Sequence, residues 1–421
     1  MGTEGKRIAK KGIMHVVFFN RSFYPDIAAT GQLLTELCEG LAGQYGLHIS
    51  VVVGRPSHPQ NGDFKKRFPL ATERSNGVTI LRAYSATLSK ERAFYRFTNY
   101  ISYFLSSLVA GFNLRKPDIV VSLTDPPIIG LVALLWARIY RAKFVFWCQD
   151  IFPEVALLLE DFRNDYLNKV LDKINRFLLR KADTIIAIGE TMKRRLVEIK
   201  NTPEGKIKII HNWADCEEIQ PINGPNPFRY QYNLNGKFVV MHSGNIGLSQ
   251  DVEKLVESAR ILRQEKDIVF LIIGEGNKKA ELLGKAKTWD LENVIFLPYQ
   301  PKEVLKYAFS AADIFIISLK QGLAGYIVPS KLYGILASGR PFVAAVEPEC
   351  EVATISKRYK CGVVCPPGNP HALASEILRL YEDPGNLKEM GKRAREAARN
   401  YDRKVALRSF YSLFLRLPDP R

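Results

Sequence analysis

From Ile13 onward the chain alternates short runs rich in β-branched and aromatic residues with longer stretches of helical periodicity. In the first half the runs are Ile13–Phe19, Ile49–Val53, Val78–Ala83, Ile119–Ser122, Lys143–Cys148 and Thr184–Ile188, with a shorter one at Ile207–Ile210. The helical stretches between them include Ala28–Leu41, Ala93–Leu114, Ile128–Tyr140 and Leu167–Arg180. Such alternation predicts parallel sheets covered by helices on both faces. Asn61–Leu70, carrying Lys65, Lys66 and Arg67, reads as a long basic surface loop.

Pro221–Pro227, rich in Pro, Asn and Gly, has the composition of a linker. The alternation then restarts at Phe238–His242, followed by a helix from about Asp251 with Val252, Leu255, Val256, Ala259 and Leu262 on one face. Runs at Val269–Ile273, Val294–Leu297, Ile314–Leu319, Phe342–Val346 and Gly362–Cys365 follow, and Pro370–Leu417 is helical in pattern. The pattern predicts two doubly wound α/β domains, residues 1–210 and 211–400, joined by one linker and facing each other across a cleft. A last helix, 401–421, packs back on the first domain.

In doubly wound sheets ligands bind beyond the carboxyl ends of the strands. The glycine-bearing turns fall there: Ala29-Thr30-Gly31, Ser243-Gly244-Asn245-Ile246-Gly247, Gly274-Glu275-Gly276 and the loop Gly322–Pro329. Neither half has Gly-x-Gly-x-x-Gly opening a helix, so a dinucleotide is not indicated. Between Ile314–Leu319 and Phe342–Val346, Pro329 and Ser330 make a helix start, with Ser330 able to cap free amides. Gly339 and Pro341 make the stop. Lys331 in the first turn adds a cation to the positive end of that helix, an arrangement suited to an anion. The same residues also fit an ordinary strand–loop–helix unit with a capping serine.

Composition narrows the partners. The 421 residues, 47% hydrophobic, suffice for two globular cores. A net charge of +17, from 60 Lys and Arg against 43 Asp and Glu, calls for an anionic partner. No arginine-rich tail or zinc-finger spacing is present, so nucleic acid is disfavoured against acidic lipid or a phosphate-rich substrate. Six scattered cysteines read as reduced, packed thiols of a cytosolic protein. Cys361-x3-Cys365 lacks a second ligand pair for a metal. Phe97–Leu114 imitates a membrane span, but its Thr, Asn and Ser residues favour a buried or interface-lying helix.

The second half resembles the donor domain of glycosyltransferase family 4, of the GT-B fold. The resemblance rests on Ser243–Gly247, Ile272–Gly276, Val294–Pro298, Ala311–Ile314, Lys331–Pro341, Cys361–Val364 and Pro366–Pro370. The first half resembles the branch of that family acting in surface-polysaccharide assembly, through Arg115–Val120, Asp125-Pro126-Pro127 and Gln149–Glu154. Members of that branch transfer sugars such as fucose or N-acetylfucosamine to lipid-linked acceptors.

The resemblance implies two Rossmann-like domains and a UDP- or GDP-sugar donor, its diphosphate over the Pro329–Ser330 helix start. Gly244, Asn245, Gly247, Glu275, Tyr326, Ser330 and Lys331 are the implied donor contacts. It also implies retention of anomeric configuration. The family commonly carries two glutamates eight residues apart; aligned on Gly339, their places hold Tyr326 and Gly334. Three readings of that departure stay open: a rebuilt site, a donor sugar with another hydroxyl pattern, or an inert relative.

Glycosyl transfer passes through an oxocarbenium-like state while a diphosphate gains charge, so stabilising that charge is the main catalytic need. No Asp-x-Asp occurs in the chain, which favours catalysis without a metal or other cofactor by the helix end and Lys331. On the acceptor side Asp150, just past the Lys143–Cys148 run, can orient or deprotonate the acceptor hydroxyl, or else cap a helix ahead of Pro153. Gly31, Asp125 and Glu154 are further acceptor-side candidates. The aromatic and basic residues around Phe97–Leu114 and Lys65–Arg67 would suit a polyprenyl-diphosphate-linked acceptor and peripheral contact with the acidic inner face of a membrane, or else ordinary packing with a solvated basic face. A sugar-nucleotide epimerase can share this architecture but needs cleft carboxylates and histidines, in which these loops are poor. A non-catalytic binding protein of the same fold is the remaining alternative.

Overall fold

The structure, a computed structural model, describes residues 13–26, 28–56, 70–86, 88, 93–159, 164–222 and 224–417. Lys65, Lys66 and Arg67 lie outside the described residues. The chain divides into two compact units. The first comprises Met1–Ile188, Lys193–Ile210 and Ala406–Arg421; the second comprises Gly189–Met192 and His211–Val405.

The first unit opens with β1 (His15–Phe19), α1 (Ala29–Tyr45), β2 (His48–Val53), β3 (Leu70–Ser75), β4 (Val78–Ala83) and α2 (Ala93–Ala110). It continues with β5 (Ile119–Ser122), α3 (Ile129–Tyr140), β6 (Lys143–Cys148), α4 (Glu154–Leu158), α5 (Asp165–Lys181), β7 (Thr184–Ala187), α6 (Glu190–Glu198, shared with the second unit) and β8 (Ile207–Ile209). The sheet order is β3-β4-β2-β1-β5-β6-β7-β8. All its neighbours are parallel except β3 and β4. The run of residues 70–75 is not among the predicted strands, because its positions are half-buried or exposed and carry no apolar run. The signal that marks it is Asn76-Gly77, whose positive φ values of 46° and 80° are those of a tight hairpin turn.

The second unit carries α7 (Pro227–Gln231), β9 (Phe238–Ser243), α8 (Val252–Ile261), β10 (Ile268–Ile273), α9 (Lys279–Thr288), β11 (Val294–Leu297) and α10 (Lys302–Ala311). Then come β12 (Ile314–Ser318), α11 (Lys331–Ala337), β13 (Phe342–Ala345), α12 (Glu351–Tyr359), β14 (Gly362–Cys365), α13 (Pro370–Tyr381) and α14 (Pro384–Ala398). Its six strands are parallel, in the order β11-β10-β9-β12-β13-β14. Val240, Phe270, Ile272, Ile314, Ile316 and Val343 are buried in one core with Leu255 and Val256 of α8. The alternate positions Val239, Met241, Leu271, Phe315, Ile317 and Phe342, on the opposite face, are also fully buried, and burial on both faces is why these strands read as continuous apolar runs.

One local reading changes. Pro221–Pro227 is not a free linker: the Ile222 amide donates to Ser310 Oγ at 3.2 Å, and Asn226 Nδ2 donates to the Tyr307 carbonyl at 2.9 Å. Asn226 caps α7 by accepting from the Phe228 amide, with Pro227 following it. A helix start and a linker use the same residue types, and only packing separates them. The last helix, α15 (Arg403–Arg416), belongs from Ala406 onward to the first unit. There Phe410 packs edge-on to Trp147 with ring centres 4.8 Å apart, and Tyr411 stacks on Tyr45 at 4.2 Å.

All six cysteines are free thiols. Among the described residues no helix is long and apolar enough to cross a membrane.

Candidate functional site

In the second unit the strand order reverses between β9 and β12: successive strands run outward from β9 to β10 and β11 on one side, and from β12 to β13 and β14 on the other. Such a switch point splays the loops after the two central strands and leaves a crevice at their carboxyl ends. The loop after β9, Gly244–Gly247, and the loop after β12, which leads to Lys331, both arise there.

The β9 and β10 loops are joined backbone to backbone. The Gly244 amide donates to the Ile273 carbonyl at 2.9 Å, and the Ile246 amide donates to the Glu275 carbonyl at 2.9 Å. The Lys278 amide returns to the Ile246 carbonyl at 3.1 Å. This contact demands glycine at two positions. A Cβ on Gly274 (φ 150°) would lie 1.8 Å from the Gly244 carbonyl oxygen, and one on Gly276 (φ 156°) 2.3 Å from that of Ile246. Gly247 lies under the Asn245 side chain, whose Nδ2 would be 2.7 Å from an added Cβ.

Lys331 lies against this shelf. A Cβ at Gly244 would stand 3.5 Å from Lys331 Nζ. The ammonium also lies 3.5 Å from Nδ1 and 3.4 Å from Nε2 of His242, a fully buried residue of β9. Burial pushes the Lys331 pKa down to about 7. His242 is pushed well below its ordinary value, first by burial and then by the Lys331 charge, so its ring is neutral. Nothing in the β9 pattern marks His242, because a buried strand end takes a satisfied histidine as readily as a working one. Only the approach of Lys331 across the switch point singles it out.

The start of α11 differs from the expectation. Ser330 occupies the cap position with helical backbone (φ −62°, ψ −23°), and its side chain makes no capping bond. A serine caps when its backbone is extended, which swings Oγ over the amides that follow; helical torsions turn it away. The amides of Leu332 and Tyr333 bond instead to the carbonyls of Pro329 (3.2 Å) and Ser330 (3.3 Å). The helix stop is as read: Gly339 has φ 63° and its amide donates to Leu336.

The loop before α11 is anchored by Glu347, which the sequence reading passes over. Its Oε2 accepts from the Gly322 amide at 3.0 Å and the Ala324 amide at 3.3 Å. Tyr326 follows in a turn, its amide bonded to the Leu323 carbonyl at 3.1 Å. Glu275 is half exposed and pairs with Lys279 at 2.7 Å. Lys279 also donates to the Gly274 carbonyl at 2.9 Å, a second cation beside the glycine loops. Gly334 packs on Phe309, with a Cβ position only 3.0 Å from its ring. A glutamate there has no room without moving that ring.

In the first unit the candidates gather at its own switch point, between β1 and β5. Asp125, just past β5, pairs with Arg21 just past β1 at 3.2 Å and accepts from Ser22 Oγ at 3.0 Å. Asp150, just past the adjoining β6, has its pKa pushed up to about 7 by burial and further by the Asp125 charge. The helix-cap reading of Asp150 falls away, since Pro153 holds the cap position of α4 and no side chain caps it. Glu154 pairs at 2.7 Å with Lys200, which is fully buried and also bonds Asp172 at 2.6 Å; that network fixes α4 against α5. Gly31 is not in a turn. It lies in the first helical turn of α1, where a Cβ would stand 3.2 Å from the backbone of Ser22 and Phe23. Its role in the structure is to let α1 approach the segment that carries Arg21 and Ser22. Among the described residues no group of three or more His, Cys, Asp or Glu is placed to hold a metal.

Comparison with known proteins agrees with this arrangement. Residues 30–218 match the model of Glycosyltransferase Family 4, and residues 227–399 match that of Glycosyl transferases group 1. The chain is 26% identical over 408 residues to WcaI of Escherichia coli (strain K12), named for colanic acid biosynthesis; the match covers 94% of this chain and 98% of the relative. It is 28% identical over 314 residues to WbjE of Pseudomonas aeruginosa, named as a probable glycosyltransferase, covering 73% and 76%. The solved structure of Anabaena HepE in complex with UDP superposes with a TM-score of 0.72 at 15% identity, covering 96% of this chain and 100% of that one. That likeness carries the fold. The two family models, with residues 219–226 between them, cover most of both units, so the chain is a glycosyltransferase of the GT-B fold, with a Glycosyltransferase Family 4 domain followed by a Glycosyl transferases group 1 domain.

Proposed function

We propose that this glycosyltransferase moves a sugar from a nucleotide-diphosphate donor to a lipid-linked saccharide acceptor in cell-surface polysaccharide synthesis, retaining anomeric configuration. The observation that carries the reading is the Lys331 ammonium, set beside the bare backbone of Gly244 at the β9–β12 switch point. A diphosphate needs a cation and close backbone amides, and side chain-free glycines let it approach them. Names of relatives that refer to colanic acid and capsular polysaccharide biosynthesis support a role in polysaccharide synthesis, and the HepE complexes support a UDP-sugar as one donor class.

In the proposed reaction the bond from the anomeric carbon to the diphosphate oxygen breaks, and its electron pair leaves with the diphosphate. Lys331, with the loop amides that the β9–β10 contact does not use, stabilises that charge as it grows. An acceptor hydroxyl oxygen forms the new bond on the same face. Asp150, its pKa about 7, is half in its basic form at neutrality and is assigned to orient that hydroxyl and take up its proton. The leaving group's charge is assigned to Lys331 rather than to a metal, so chelator leaves the rate unchanged. The tight packing of Gly334 on Phe309, whose ring would lie 3.0 Å from a Cβ there, supports a rebuilt sugar site over an eroded one.

The test is incubation of the pure protein with labelled UDP- and GDP-sugars and a polyprenyl-diphosphate-sugar acceptor. Lipid-linked labelled product supports the reading. Isomerised donor would point to an epimerase, and binding without turnover to an inert relative.

A further inference from the structure

Among the described residues the sheet of the second unit ends at β14, whose outer side pairs with no other strand. In its parallel pairing with β13 alternate residues bond across the ladder. The Cys365 carbonyl accepts from the Val346 amide at 3.2 Å, so Cys365 and, two before it, Val363 turn their backbone toward β13. Gly362 and Val364 therefore turn theirs outward. The Gly362 carbonyl is taken by Ser356 Oγ at 2.7 Å. Val364, half-buried, comes next, and it lines a groove of about 310 Å³ that runs beside this edge.

Two helices wall the groove. The end of α12 supplies exposed Lys357 and Lys360, and α14 supplies Asn386, buried Met390 and half-buried Arg393. Met390 belongs to the core against which Val363 also packs, so the floor is fixed. Arg393 Nη1 donates to the Lys360 carbonyl at 3.4 Å, which ties the walls together. The lining carries three cations and no acid. Acids at its margin are engaged: Glu389 pairs with Lys392 at 2.6 Å, Glu376 with Arg379 at 2.7 Å, and Asp383 accepts from the Asn386 amide at 3.0 Å. Glu351, at the far end of α12, is buried and accepts from the Glu190 amide at 2.9 Å. Glu382 and Glu396 are exposed outside the lining, as are Arg358 and Lys388.

We infer that the β14 edge takes up an extended acidic segment of a partner polypeptide as an added strand. Outward backbone groups supply the ladder, and Lys357, Lys360 and Arg393 select for acidic side chains. Lysines beside a bare edge also bar pairing with a like edge, and the same charge that rejects a like edge favours one of opposite sign. A second copy of this chain is the poorer fit, because a two-fold pairing of β14 edges sets these cations against their own copies. The inference goes beyond the proposed reaction and does not rest on it, since the groove lies at the sheet's edge and the β9–β12 switch point at its centre.

The experiment titrates the full chain against a labelled peptide of alternating valine and glutamate, read by fluorescence anisotropy. The wild type binds it, less tightly as salt rises, and does not bind the alternating valine–lysine peptide. N-methylation of alternate peptide nitrogens on either edge in turn finds one edge whose loss weakens binding about tenfold or more, because ladder donors are removed while every charge stays. Lys357→Gln with Lys360→Gln also weakens it about tenfold. Lys302→Gln with Lys306→Gln, two exposed lysines of α10 following the strand at the opposite edge, binds as wild type does. Amide hydrogen exchange at Val364 slows in the complex. Both variants keep the wild-type melting temperature and nucleotide-diphosphate affinity, so a misfolded protein is recognised and failure here is read apart from failure of the proposed reaction. No binding by the wild type overturns the inference. Equal binding of the parent and both N-methylated peptides overturns it as well, since that is ion pairing alone. So does an equal loss in the α10 variant, or a concentration-dependent dimer that protects Val364 without peptide.

Discussion

Lys331 Nζ lies 3.4 Å from Nε2 of the buried His242, so the candidate site's central cation rests on a neutral imidazole rather than on a carboxylate. An ammonium in such a place is costly in the free protein and is relieved by an arriving anion. Donor binding is therefore coupled to the proton on Lys331, and binding energy spent on the diphosphate also restores full charge to the residue that stabilises its departure.

Lys331→Ala removes that cation and lowers kcat/KM by about 10²–10³-fold, the range seen for loss of one preorganised stabiliser. Steady-state kinetics with saturating acceptor measure it. Lys331→Arg recovers only part of the loss, since the larger planar head does not fit between His242 and Gly244. A wild-type rate in Lys331→Ala would remove the residue from the mechanism.

The same residue makes stability depend on pH. Its pKa falls from 10.5 to about 7 on folding, so between those values the unfolded chain holds a proton that the folded one has released. Stability from this group therefore rises with pH across that window, and its full cost is present below about 7. Lys331→Met is expected to be more stable than wild type in urea unfolding without donor. The gap is largest below pH 7 and closes as pH approaches 10.5.

Activity should follow a bell centred near neutrality. Asp150, raised from 3.8 to about 7, is competent as a base only above that value, while Lys331 carries its charge only below about 7. A profile of kcat/KM reports both limbs for the free enzyme. Lys331→Arg removes the alkaline limb and keeps the acid one. Asp150→Asn lowers kcat more than donor affinity and removes the acid limb.

Gly274→Ala forces a methyl group onto the Gly244 carbonyl, 1.8 Å from its oxygen, at a backbone angle that side chains avoid. Overpacking and strain together cost about 2–4 kcal/mol, read as a shifted denaturation midpoint. Gly284→Ala, in α9 with open space around it, serves as the control and stays within about 1 kcal/mol of wild type.

Glu347→Ala leaves the amides of Gly322 and Ala324 without their acceptor. Each charged hydrogen bond of this kind contributes about 1.5–3 kcal/mol. The variant is expected to raise the donor KM and to speed proteolysis within Gly322–Pro329, with Glu347→Gln intermediate.

The sheets, their parallel order and the glycine loops were legible because strands buried on both faces must be continuous apolar runs, and because backbone contact between loops tolerates only glycine. Every predicted strand lies within two residues of an observed one, and the strand that escaped, β3, is the edge strand with half-exposed faces. What the chain could not display in one dimension was which polar residues meet. His242 and Lys331 are 89 positions apart and come within reach only because the strand order reverses between β9 and β12. Asp150 acquires its raised pKa from burial beside Asp125, and Glu154 is taken out of reach by Lys200, 46 positions on. Local torsions also decided a detail that residue type had suggested otherwise, since Ser330 is a capping residue in a backbone that does not let it cap. Periodicity and glycine placement are properties of the sequence because they answer to water and to sterics one element at a time. Proton affinity and charge partnership depend on what the other elements bring, so the tertiary structure decides them.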